Sequence, residues 1–64
     1  MSDARQFKIG SADEWKGLVG DAATLPSVEL LAVSEEELTV TLGGDSKAVD
    51  RLVAARARSA VELT

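Results

Sequence analysis

Residues 28–42, Val28-Glu29-Leu30-Leu31-Ala32-Val33-Ser34-Glu35-Glu36-Glu37-Leu38-Thr39-Val40-Thr41-Leu42, read as two strands joined by a polar connection. From Leu38 to Leu42 apolar and polar residues strictly alternate, which is the two-residue period of a half-buried strand. The preceding segment, 28–33, places Val28, Leu30 and Ala32 on one side and Glu29, Leu31 and Val33 on the other. Between them, Ser34-Glu35-Glu36-Glu37 is too polar to be buried and short enough to form a hairpin.

Each side of this hairpin carries a helical pattern. Downstream, Gly43-Gly44-Asp45-Ser46 supplies a turn and then an N-cap. A helix over about 47–59 follows, burying Val49, Leu52, Val53, Ala57 and Ala60. Its outer face carries Lys47, Arg51 and Arg58, with Asp50 and Arg56 on the flanks. Upstream, Leu25-Pro26-Ser27 closes a helix over about 12–24, because a residue before proline is biased away from the helical region. Trp15, Leu18, Val19, Ala22 and Leu25 form its apolar stripe, and Gly17 and Gly20 fall opposite. Ser11-Ala12-Asp13-Glu14 fits a capping box at its start, with acidic residues favoured by the helix dipole. The outermost segments return to the two-residue period. Residues 5–9 set Phe7 and Ile9 against Gln6 and Lys8, and 61–64 form a final strand.

The element order is β-α-β-β-α-β. Right-handed crossovers place both helices on one face of an antiparallel sheet. The expected fold is therefore α+β: a ferredoxin-like sandwich with strand order 4-1-3-2, formed as a single domain over residues 1–64.

Composition narrows the chemistry. The chain has no Cys and no His, and Tyr and Asn are also missing, so nucleophile–base pairs reduce to Ser, Thr, Lys, Asp and Glu. No disulfide or thiolate metal site is available, and 64 residues must be held by one apolar core. A net charge of −4 opposes nonspecific binding to a phosphate backbone. No apolar run reaches the roughly 20 residues that span a bilayer, and residues 1–5 lack the layout of a secretory signal. These features lead us to expect a cytoplasmic, non-enzymatic domain without a cofactor, nucleic-acid partner or membrane partner.

Phe7-Lys8-Ile9-Gly10, the helix ending at Leu25-Pro26-Ser27-Val28, Leu38-Thr39-Val40-Thr41-Leu42 and Val61-Glu62-Leu63 together resemble the heavy-metal-associated domain. The likeness spans nearly the whole chain, although most of it is the pattern of the fold. That family carries Gly-Met-x-Cys-x-x-Cys after its first strand. Aligned on Gly10, Ser11 takes the Met position, and Asp13 and Lys16 take the two Cys positions. Soft Cu(I) needs thiolate or thioether ligands, so the resemblance implies the scaffold without the metal.

Several weaker signals compete with this reading. Asp13, Glu14 and Lys16 could line a loop for a small molecule or ion, but adjacent helical carboxylates diverge by about 100° and hard cations need more oxygens. Gly43-Gly44-Asp45-Ser46-Lys47 invites a phosphate, yet it lacks the Walker spacing and Asp45 would repel an anion. RNA-recognition domains share this strand order but stack bases on aromatics, where this chain has Gln6, Lys8, Thr39 and Thr41. The acylphosphatase type of chemistry uses an Arg-plus-Asn site, and Asn is absent. The second strand is different: it lies at a sheet edge, with Leu31 and Val33 expected on the face no helix covers. The expected role is a protein-interaction or assembly module, as a homodimer or with another protein, contacting through Leu31, Val33 and the hairpin residues Glu35, Glu36 and Glu37. The alternatives are the loop binder and a ferredoxin-like scaffold with no activity of its own.

Overall fold

The structure, a computed structural model, describes residues 4–63. Strand β1 (Arg5–Lys8), helix α1 (Ala12–Thr24), strands β2 (Val28–Ser34) and β3 (Thr39–Gly44), helix α2 (Ser46–Arg56) and strand β4 (Val61–Glu62) follow in that order. The four strands form one antiparallel sheet ordered β2-β3-β1-β4, which is 4-1-3-2 read from the other edge. Both helices cover one face, giving the βαββαβ ferredoxin-like α+β sandwich. Thr64, at the end of the expected last strand, lies outside the described residues.

Helix and strand periodicities converge on one core. Phe7, Ile9, Val28, Val40 and Leu42 from the sheet meet Trp15, Leu18 and Ala22 from α1 and Val49, Leu52 and Ala57 from α2 and the residue after it. Trp15 brings a polar group into this core that must be satisfied. Its indole N–H donates to the Thr39 carbonyl at 3.0 Å, joining the first turn of α1 to the start of β3.

Strand β1 stops at Lys8 and β4 at Glu62, short of the expected 9 and 64, and β2 and the start of α2 each extend by one residue. The larger shifts, in α2 and β3, have local reasons. Helix α2 ends at Arg56, three residues before the expected Ser59. Ala57 leaves helical geometry (φ −137°, ψ 73°) while its N–H still bonds Val53 O at 2.8 Å. The tighter exit keeps Ala57 buried and frees Ser59 to reach the loop after β1. Strand β3 runs through Gly43 and Gly44, which the sequence placed in a turn, and Leu38 belongs instead to the hairpin turn. Leu38 adopts φ 55°, and its N–H closes the turn on Glu35 O at 3.3 Å.

A cluster at the other edge secures the short β4. The Arg5 guanidinium makes a bidentate pair with Glu62 (2.9 and 2.8 Å), reaches Asp50 of α2 at 2.8 Å and lies 5.2 Å from the Phe7 ring centroid. These two carboxylates, through hydrogen bonds first, hold the guanidinium firmly protonated.

Gly17 and Gly20 sit on the exposed side of α1, and a Cβ at either would meet nothing within 4 Å. Helix-interior glycine costs about 0.5–1 kcal/mol relative to alanine. Each Gly→Ala change is therefore expected to stabilise the domain by about that amount. For a domain of this size that corresponds to a rise in Tm of about 2–8 °C per site, measurable by thermal melts followed by circular dichroism.

Candidate interaction surface

The loop after β1 turns out to be an internal clasp. Ser11 precedes α1 in extended geometry but makes no side-chain capping bond. The Glu14 carboxylate does not reach back to it as a capping box requires. Instead Glu14 Oε1 accepts from the Ser59 N–H at 3.1 Å and from the Ser59 hydroxyl at 2.9 Å. Ser59 Oγ in turn accepts from the Gly10 N–H at 3.0 Å. The approach is close: a Cβ on Gly10 would lie 3.0 Å from Ser59 Cβ, so a larger residue would push Ser59 aside by a few tenths of an ångström. This ties the β1–α1 loop to the α2–β4 loop. Asp13 and Lys16 project from it into solvent, and among the described residues no group of three or more His, Cys, Asp or Glu is placed to hold a metal ion.

The clasp carries a pH signature. The Ser59 backbone N–H first, then its hydroxyl, and then Arg58 hold the Glu14 carboxyl below the usual carboxylate range. Its folded pKa lies below its unfolded value. The stability it contributes is therefore present at neutral pH and disappears as the pH falls through the folded pKa. A Glu14→Gln chain is expected to melt below wild type at neutral pH, with the gap closing in acid. Parallel melting curves down the acid series would contradict the clasp.

Strand β2 stands at the sheet edge and has seven residues. Leu31 is 47% exposed and Val33 is 48% exposed. Their expected placement on one common face needs correction. Leu30 pairs with Leu42 and Ala32 with Thr41, so Leu31 is the extra residue of a β-bulge. Beyond it the facing of β2 inverts. Val33 now pairs with Val40, a core residue, and so lies on the helix side of the sheet, while Ala32 takes the open face beside Thr41. Leu31 stays on the open face, its Cδ1 3.1 Å from where a Gly43 Cβ would stand. The bulge has no signature in the alternation of 28–33, which is why the sequence missed it.

Two further apolar residues belong to the open face. Val61 (62% exposed) pairs with Lys8, and Leu63 (51%) donates its N–H to Gln6 O at 2.7 Å. The alternation of Val61 and Leu63 in an edge strand was the available signal for them. The uncovered face thus has aliphatic margins, Leu31 and Ala32 on one edge and Val61 and Leu63 on the other. Gln6, Lys8, Thr39 and Thr41 lie between. Glu35, Glu36 and Glu37 are all exposed in the turn that ends the β2–β3 hairpin.

The glycine pair before α2 is structural. Gly44 has φ 97°, and the Asp45 carboxylate caps α2 by accepting from the Ala48 N–H at 3.3 Å. The basic residues of α2 and of the loop after it divide between two places. Lys47, Arg51 and Arg56 line a groove with the end of α1, whereas Arg58 lies by Glu14. Among the described residues no helix is long and apolar enough to cross a membrane. No protein-family model matches the chain, and no curated protein or solved structure matches it either.

Proposed function

We propose that this domain is a non-catalytic protein-interaction or assembly module, built on a scaffold like that of heavy-metal-associated domains without their ligand loop. Its contact surface is the edge strand β2 with the open face beside it. The observation that carries the reading is Leu31, an aliphatic side chain 47% exposed at the bulge of a seven-residue strand with a free edge. Exposed edges template pairing with another strand, and a core this small gains from further apolar burial. The loop-binder alternative has less support, because Glu14 is engaged with Ser59 and, among the described residues, no group of three or more His, Cys, Asp or Glu is placed to hold a metal ion.

Sedimentation equilibrium over a concentration series tests the self-association form of this reading. Wild type is expected to gain mass with concentration, and Leu31→Lys is expected to remain a monomer. The substitution sits on the surface, where changes usually fall within about 0.5 kcal/mol, so its melting curve serves as the folding control. A wild type that stays monomeric throughout, with Leu31→Lys indistinguishable from it, would remove self-association from the account.

A further inference from the structure

A groove of about 470 Å³ lies between the C-terminal end of α1 and the length of α2 from Lys47 to Arg56. Leu25, Leu52 and Ala55 contribute its apolar lining, and Lys47 and Arg51 stand beside them one helical turn apart. Both acids in the groove are already engaged: Asp21 pairs with Arg56, and Asp45 caps α2. The Lys47 and Arg51 side chains make no hydrogen bond or ion pair with any described residue. With Asp21 matched by Arg56, Lys47 and Arg51 outweigh the remaining Asp45 carboxylate, whose oxygen is turned to the Ala48 N–H, and the groove keeps a net positive charge on a chain of net charge −4.

The matching negative charge lies at the far end of the same molecule. The β2–β3 ladder runs from Val28 opposite Gly44 to Ser34 opposite Thr39. Ser27 and Asp45, just beyond the first pair, line the groove, while Glu35, Glu36 and Glu37 follow the last. A seven-residue strand at about 3.3 Å per residue separates the two, so a chain cannot satisfy its own groove. The side chains of Glu35, Glu36 and Glu37 likewise have no ion-pair or hydrogen-bond partner among the described residues.

We infer that the groove between α1 and α2 receives the acidic hairpin turn of a second copy of this chain, head to tail. The contact joins two different surfaces and does not close on itself by two-fold symmetry, so it propagates chains or rings. It adds to the assembly reading above and uses a surface separate from the β2 edge. Because exposed charges carry the contact, it weakens as salt rises and the screening length shrinks.

A charge-exchange experiment on the full chain separates the two surfaces. One variant carries Glu35→Lys, Glu36→Lys and Glu37→Lys; the other carries Lys47→Glu and Arg51→Glu. All five positions are exposed, and circular dichroism checks that both variants fold. At low ionic strength wild type is expected to associate and high salt to reverse part or all of that association. Each variant alone loses the salt-sensitive part, and an equimolar mixture of the two regains it as a mixed complex. Association unchanged by either reversal but abolished by Leu31→Lys would overturn the head-to-tail contact and leave the edge-strand reading standing. Association abolished by the reversals, restored in the mixture and indifferent to Leu31→Lys would support the contact and remove self-pairing through the edge. A mixture that stays monomeric, or a wild type monomeric at low salt, overturns the head-to-tail contact.

Discussion

Gly44→Ala is expected to lower the urea midpoint of unfolding more than any surface substitution, with the slope of the transition unchanged. Gly44 holds φ 97°, a region where a side chain alone costs about 1–3 kcal/mol. Space makes the cost worse. A Cβ on Gly44 would stand 2.5 Å from the Ser27 carbonyl oxygen, which is backbone and cannot swing aside. That oxygen also accepts the Asp45 N–H at 2.9 Å, so relieving the clash loosens the junction between the α1–β2 turn and the cap of α2. Domains have only about 5–15 kcal/mol of stability, and one of this size has little to spare. A midpoint equal to wild type would mean that the left-handed junction is not part of the fold.

Leu18→Ala should cost far more than any truncation at the sheet edge. Leu18 is fully buried, at the centre of the stripe that α1 lays on the sheet. Truncating a buried leucine costs about 2–5 kcal/mol, increasing with the cavity left behind. At about 4–8 °C per kcal/mol for a domain of this length, the melting temperature should fall by about 8–40 °C, and at the upper end the chain should not fold at all. Leu31→Ala, half exposed at the sheet edge, is the control and should change stability little. Equal losses at the two positions would contradict the assignment of core and surface.

The architecture was readable because periodicity, punctuation and chain order agree. Trp15, Leu18 and Ala22 recur at helical spacing and are buried, Pro26 follows the end of α1, and Val40 and Leu42 alternate into the core. Strand order then follows from the handedness of the crossovers. What escaped is set by tertiary contacts that local pattern does not encode. Glu14 has the spacing of a capping box but finds a better donor set in Ser59, 45 residues away. Arg5 reads as an ordinary strand residue, yet it clamps Glu62 and Asp50. The bulge at Leu31 inverts the facing of Val33 without disturbing composition. Strict alternation gives the face of a residue only while the register is unbroken.

If the domain works through the β2 edge rather than through the junction of β1 and α1 (residues 10–16), self-association must leave its mark on β2. Amide resonances of the labelled chain followed by NMR over a wide concentration range test it most directly. Concentration-dependent shifts are expected in Val28–Ser34, centred on Leu31, and none in residues 10–16. Shifts confined to that junction, or an unchanged β2 at every concentration, would contradict it.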